Sequence, residues 1–302
     1  MATKTKMSGA MRTTYSEKAI GAFLLLCALI SIAALVIIFV LLITNAAPAF
    51  LQLSIWDFLS GSNWNPGGFP PSFGILPLMI STLLVTVTAA AIAIPIGIGC
   101  TIYLAEMAHP RIRAIAKPAI EILAGIPSII YGLFAVLVLT QFVYDWFDPV
   151  SRKNGMVGAI MLAVMMIPIL VTLAEDAMNS VPQNLREAAL AMGATKWEVI
   201  RGVIIPASFS GIVAAVILSL GRAIGETMVV LMATGNSTHL TWNIFDSMQT
   251  MTAAIAIDYG ELSPGTLHYE VIFAVGLVLF IITFVVNYLA GRIMKRFTEE
   301  YQ

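Results

Sequence analysis

Six long apolar runs constrain this chain more than any other feature. They cover approximately Ala19–Thr44, Ile75–Ala105, Ile120–Val143, Met156–Ala174, Ala207–Gly235 and Val271–Ala290. Crossing about 30 Å of hydrocarbon takes roughly 20 residues of helix, and a helix satisfies its own backbone where no water can. Each run therefore predicts one transmembrane helix. Of the 302 residues, 59% are hydrophobic and only 11% charged, which excludes a soluble domain. The fold class expected is an all-α membrane protein with six transmembrane helices.

The stretch Asn45-Ala46-Ala47 after the first run has a cleavage-like look. The run itself is far longer than the ~7 to 15 apolar residues of a secretory signal, so it reads as a retained signal anchor. Basic residues near span ends set the orientation. With the N-terminus inside, the cytosolic segments hold Lys4, Lys6, Arg12 and Lys18, then Arg111, Arg113 and Lys117, then Arg186, Lys196 and Arg201, then Arg292, Lys295 and Arg296. Only Arg152 and Lys153 fall outside, and Arg222 lies within a span. Both termini are thus expected in the cytosol. The resulting organisation is a flexible cytosolic arm 1–18, an anchor helix 19–44, an outer loop 45–74 and a core transmembrane domain 75–290. Within that core lie a cytosolic loop 180–206 and an outer loop 236–269, and a cytosolic tail 291–302 follows.

Catalysis on this chain is not expected. It holds no G-x-x-x-x-G-K-[ST], so no nucleotide phosphate can be cradled as a P-loop does it, and neither H-E-x-x-H nor G-x-S-x-G occurs. His109, His239 and His268 all fall in loops, so an intramembrane protease lacks its base. Cys27 and Cys100 sit in apolar runs and read as packing residues, with no metal site and no disulfide framework. The outer loops carry Asp57, Asp145, Asp148, Asp246, Asp258, Glu261 and Glu270 against Arg152 and Lys153. That field repels a free anion, which fits delivery by a separate binding protein.

Prolines at 95, 127 and 168 interrupt three spans, and each predicts a kink facing other helices or a pathway. In the first outer loop, Trp56, Phe58, Trp64, Phe69 and Phe73 read as anchors at the headgroup level. In the last, Ile244, Phe245, Met248, Met251 and Ile255 recur at helical spacing, which predicts an amphipathic helix at the outer surface or dipping into the membrane.

The loop SVPQNLREAALAMGATKWEVIRGVIIPA, residues 180–207, reads as two short helices around a tight turn. Ser180 with Gln183 and Thr195 with Glu198 have capping-box spacing, Gly193 suits a left-handed helix end, and Pro206 is the expected break before span five. Leu185, Ala188, Ala189 and Met192 line one face of the first helix, a surface for a partner's groove. A DNA-reading helix-turn-helix shares the outline, but the loop is pinned between two spans and holds three basic residues, so nucleic acid is not a partner.

Span five contains LGRAIGETMVV, residues 220–230. Arg222 lies 16 residues beyond Pro206, roughly 24 Å along a helix at ~1.5 Å per residue. A charge at that depth costs ~3 kcal/mol or more and needs a partner or a water-filled cavity. At i, i+4 spacing Arg222 and Glu226 share a helical face and can pair. Beside them Gly211, Ala215, Ser219, Ala223 and Thr227 form a small-residue seam for close helix approach. Two readings follow. Either the pair fixes the helix against its neighbour, or Arg222, Glu226 and Thr227 line a substrate path in which a guanidinium fork meets an oxyanion.

The pattern Glu187-Ala188-Ala189, then Gly193, then Val203-x-Ile205-Pro206, resembles the EAA loop of permease subunits in binding-protein-dependent ABC importers. One departure is modest: I-x-L-P reads Val203-Ile204-Ile205-Pro206. Together with GILPLMISTLLVT, PIGIGCTIYLAE, AGIPSIIYGLF and Gly-Glu-Thr-Met followed by Gly235-Asn236, the chain from about residue 70 onward is similar to phosphate importer permeases, the PstC type more than the PstA type. That resemblance implies the type I ABC importer permease fold and a role for Glu187, Ala188, Ala189, Gly193 and Pro206 in coupling to an ATPase. It also implies a PstA-like second permease, two PstB-like ATPase subunits and a PstS-like external phosphate-binding protein as partners. No cofactor is expected on this chain, with ATP and Mg held by the ATPase. Sulfate, molybdate or phosphonate are the alternative cargoes, and an ATP-independent channel or carrier is the alternative class.

Overall fold

A computed structural model describes the backbone of residues 4–299 and the side chains of 17, 19–260, 262–289, 291 and 292. The side chains of Lys4, Lys6, Arg12, Lys18, Glu261, Lys295 and Arg296, used above for charge, lie outside the described residues, as does the tail end 300–302.

Among the described residues, six helical segments are long and apolar enough to cross a membrane: Ala19–Gln52, Leu76–Met107, Ser128–Phe147, Gly155–Asn179, Lys196–Ile224 and Leu267–Leu289. They are called spans one to six. Span one is made of the greater part of a helix Lys4–Ala46 and, after a turn, a short helix Ala49–Gln52, and the segment expected to be a flexible arm is helical from Lys4. No proline stands in residues 1–18, and a helix once nucleated propagates at little cost.

Span four is the axis of the bundle. Leu162, Met166 and Leu170 are completely buried there, and spans two and five pack along it. Gly97 of span two rests against Leu170, and Gly211 of span five against Ala177. Ala215, Ser219 and Ala223 are buried, so the expected small-residue seam is where span five meets span four. Span one packs on span six, with Phe39 and Phe280 5.4 Å apart and Ala46 and Ala49 buried at its end, while the apolar side chains from Ile20 to Ile38 are exposed. In a membrane protein lipid covers such a surface.

The three prolines act in two ways. Pro95 and Pro168 lie inside unbroken helices. Pro127 does break the chain: a helix Pro110–Ala124 ends at Gly125, and span three begins at Ser128, eight residues later than expected. A proline disfavours helical backbone in the residue before it, which ends one helix and frees the next to start in a new direction. Glu121 consequently sits on this separate connecting helix, exposed. Pro206 is no break either. A π turn at Ile200–Ile204 leads straight into Ile205–Ile224, so span five is continuous from Lys196. The proline sits in the first turn after the widened ring, where a missing N–H costs nothing.

At the end holding the first outer loop, Phe58, Trp64 and Phe73 are buried in an apolar cap with Ile75, Val271 and Ile272. Two short antiparallel strands, Trp64–Asn65 and Ser72–Phe73, close it. Of the five aromatics read as headgroup anchors, only Trp56 and Phe69 are exposed. The other three form a core because the loop folds back on span six.

Candidate functional site

Span five ends at Ile224, and the backbone leaves the helix through Gly225, Glu226 and Thr227 before a half-helix Met228–Ala233. The expected i, i+4 pair is therefore not formed: Arg222 and Glu226 lie on opposite sides of a break, and Arg222 makes no ion pair or hydrogen bond among the described residues. Each charge instead serves a helix end. The buried Glu226 Oε1 accepts hydrogen bonds from Met228 N at 3.1 Å and Val229 N at 3.3 Å, capping the half-helix. Arg222 stands in the last turn of span five, where a cation complements the partial negative charge of the terminal carbonyls. Glycine and a capping carboxylate in sequence are the local cause of the break.

The depth of this break follows from span four. Gly211 abuts Ala177 near one end of span four, and Thr234 abuts Gly158 near the other. Arg222, Glu226 and Thr227 lie between these two levels, in the middle of the bundle. Arg222 is exposed there and Thr227 half-buried. The hydroxyl of Tyr131 in span three donates to Leu123 O at 2.7 Å.

The segment after the half-helix turns back into the fold. Gly235, at φ +90°, takes a backbone conformation open to glycine, and a Cβ there would collide with Ser247 and Lys153. Gly235 then bridges Met248, while Gly155 N and Met156 N donate to Asp246 O and Ile244 O at 3.1 and 2.8 Å. Helix Met251–Asp258 follows, shorter than expected: Ile244, Phe245 and Met248 precede it in non-helical chain. Met248, Met251, Ala253 and Ala254 are completely buried, so the helix is a packed re-entrant element and not a surface one. Met251 N donates to Thr82 of span two at 2.9 Å, and the Thr252 hydroxyl donates to the Glu226 carbonyl at 2.8 Å. Spans two and five and the re-entrant helix thus meet at the break.

The connecting loop between spans four and five forms two helices, Gln183–Ala191 and Lys196–Val199. We call the first the loop helix. Thr195 and Glu198 make the expected capping box, and Gly193 adopts φ +90° in the turn between. The Ser180–Gln183 box is absent; Pro182 occupies the N-cap and the Ser180 hydroxyl donates to Ala177 O at 2.7 Å. Proline without an N–H leaves no room for the reciprocal bond pattern. Glu187 and Ala188 are exposed, as are Leu185 and Met192 of the expected apolar face, while Ala189 is buried against span five and Pro206 is half-buried.

Next to this loop lies an ion-pair network that pattern reading missed. Glu175, 1% exposed near the end of span four, takes Arg113 at 2.6 Å and Lys117 at 3.3 Å from the connecting helix. Lys117 also reaches Asp176 at 3.3 Å. Desolvation alone pulls the Lys117 pKa down, but the hydrogen bonds and charges of Asp176 and Glu175 outweigh it and raise it. Arg186 of the loop helix pairs with Glu106 at 2.6 Å. These partners are 58 to 80 residues apart in the chain, beyond any local spacing rule. The signal available was a set of acids ending apolar runs beside basic loops.

The family described as binding-protein-dependent transport system inner membrane component matches residues 93–299. A probable ABC transporter permease protein YqgH from Bacillus subtilis is 36% identical over 272 residues, covering 88% of this chain and 88% of that protein. The phosphate transport system permease protein PstC of Mesorhizobium japonicum is 35% identical over 260 residues, covering 80% and 79%. Among solved structures, a bacterial alginate ABC transporter chain aligns with a TM-score of 0.65 at 14% identity over 94% of this chain and 98% of that one. A chain of the MetNI methionine ABC transporter aligns at 0.59 and 20% identity over 72% and 93%. These structural likenesses extend to the fold.

Proposed function

Because the chain belongs to the family of binding-protein-dependent transport system inner membrane components, we propose that it is the path-lining permease of an ATP-driven phosphate importer in a prokaryotic plasma membrane. The observation that carries the cargo is its likeness, over four-fifths of both chains, to a relative named as a phosphate transport permease. In this reading the loop end of the bundle faces the cytosol and both termini lie there. Two ATPase subunits dock on the loops of this chain and of a second permease, and an external binding protein delivers the anion at the opposite face.

The break at Gly225 supplies the path chemistry. An exposed guanidinium at mid-depth would cost ~3 kcal/mol or more against lipid, so Arg222 faces water or the second permease. Its planar donor fork matches an oxyanion. Glu226 caps with Oε1, and its Oε2 makes no hydrogen bond among the described residues. That oxygen is the group suited to accept the proton of hydrogen phosphate, which sulfate lacks near neutral pH. Thr227 adds a hydroxyl beside it.

Alternating access follows from the loop. ATPase closure displaces Glu187–Gly193, and the continuous rod from Lys196 to Ile224 carries that movement to the break. The test is complementation of a strain deleted for its phosphate permeases, with the partner subunits expressed alongside. High-affinity phosphate uptake that excess sulfate, molybdate and phosphonate do not compete away is the expected result. Uptake of one of those anions in place of phosphate refutes the cargo, and uptake without any ATPase subunit refutes the class.

A further inference from the structure

We propose that Arg186 and Glu106 form the strut through which the loop helix drives span two, so that Arg186 is a positioning residue for coupling. The proposal rests on the loop reading given above. Glu106 lies in the π turn that ends span two, and its Oε1 accepts from Arg186 Nη1 at 2.6 Å. Arg186 Nη2 donates at the same time to Met178 O, in the last turn of span four, at 2.7 Å. One guanidinium fork therefore ties the loop helix to the ends of two spans. Both side chains are largely buried, 16% and 11% exposed, where charge-assisted bonds are least screened by solvent.

Little else holds the loop helix. Ala189 is its one buried residue, packed toward the start of span five, and beside it lies a cleft lined by Arg186 and Glu106 themselves together with Gln183, Leu190, Lys196 and Ile200. Its covalent route forward runs through the Gly193 turn into span five alone. Without the strut, displacement of the loop reaches spans four and five through the chain itself but has no polar link to the end of span two, which forms with span four the most extensively packed pair in the fold. The break at Glu226 is bounded by both sides, since span five ends there and Thr82 of span two anchors the re-entrant helix beside it. Opening it requires span five and span two to receive the movement together.

The test uses the complete importer in proteoliposomes, with the ATPase subunits, second permease and external binding protein, and reads inorganic phosphate accumulated per ATP hydrolysed. Arg186→Gln and Glu106→Gln should each lower that ratio about 5-fold or more, the lower bound of typical coupling between sites, with ATPase subunits co-purifying in native amount. Because both act through one contact, the double variant should be no worse than the poorer single, and Glu106→Asp should recover most of the ratio. Native ratios in both single variants overturn the strut, and so does a double variant whose losses multiply. Loss of ATPase subunits from Arg186→Gln alone also overturns it, making Arg186 part of the docking surface while leaving the loop reading intact. A native ratio in Gly193→Val refutes the loop reading itself, and the strut with it.

Discussion

At the residue scale, the informative positions are Arg222 and Glu226, and their chemistry depends on their not being one turn apart on a single helix. Glu226 commits one oxygen to the half-helix and keeps the other free, so its two roles can be separated by substitution. Glu226→Gln retains an acceptor for Met228 N and Val229 N. It should assemble normally and lose discrimination between phosphate and sulfate, measured as the ratio of their uptake rates. Glu226→Ala removes the cap as well, a further loss of about 1 kcal/mol that should show as reduced assembled complex. An unchanged phosphate-to-sulfate ratio in Glu226→Gln removes the carboxylate from selectivity. The sequence made both charges conspicuous but not their geometry. Spacing rules assume an unbroken helix, and Gly225 with a carboxylate able to cap Met228 and Val229 is what ends it.

At the element scale, the loop and span five behave as one mechanical unit. Gly193 holds φ +90°, a conformation that costs a side chain with a Cβ about 1 to 2 kcal/mol. Gly193→Val should therefore misalign the loop helix, leaving ATP hydrolysis largely intact while phosphate uptake falls. Measuring both rates on one reconstituted preparation checks this. Much of the loop was legible, because the capping box at Thr195–Glu198 and the glycine turn are encoded within a few residues. Less legible were the π turns. They arise where one extra residue is fitted into a helix, as at Ile200–Ile204 before Pro206, and hydropathy is blind to a widened ring. Likewise the aromatics of the first outer loop gave no sign that Phe58, Trp64 and Phe73 would be buried, since only a fold returning onto span six makes a core of them.

At the scale of the whole molecule, six spans were visible from length and hydropathy, but the start of span three and the limits of the re-entrant helix were not. Lipid and protein interior are both apolar, so composition separates neither a packed helix such as Met251–Asp258 from a surface one nor a partner-facing side from a lipid-facing one. Orientation can be checked directly in a chain whose two cysteines, Cys27 and Cys100, are replaced by alanine. Asn184→Cys, exposed on the loop helix, should then react with a membrane-impermeant maleimide only from the cytosolic side. Phe69→Cys, exposed in the first outer loop, should react only from outside, and labelling from the opposite faces would invert the assignment. The most direct test of the central claim is phosphate accumulation by proteoliposomes holding the purified complex, with external binding protein and ATP on the cytosolic face. Radiolabelled phosphate should accumulate against its gradient only with ATP, and Arg222→Gln should abolish accumulation while the complex stays assembled. Accumulation without ATP, or at the native rate with Arg222→Gln, would contradict the account.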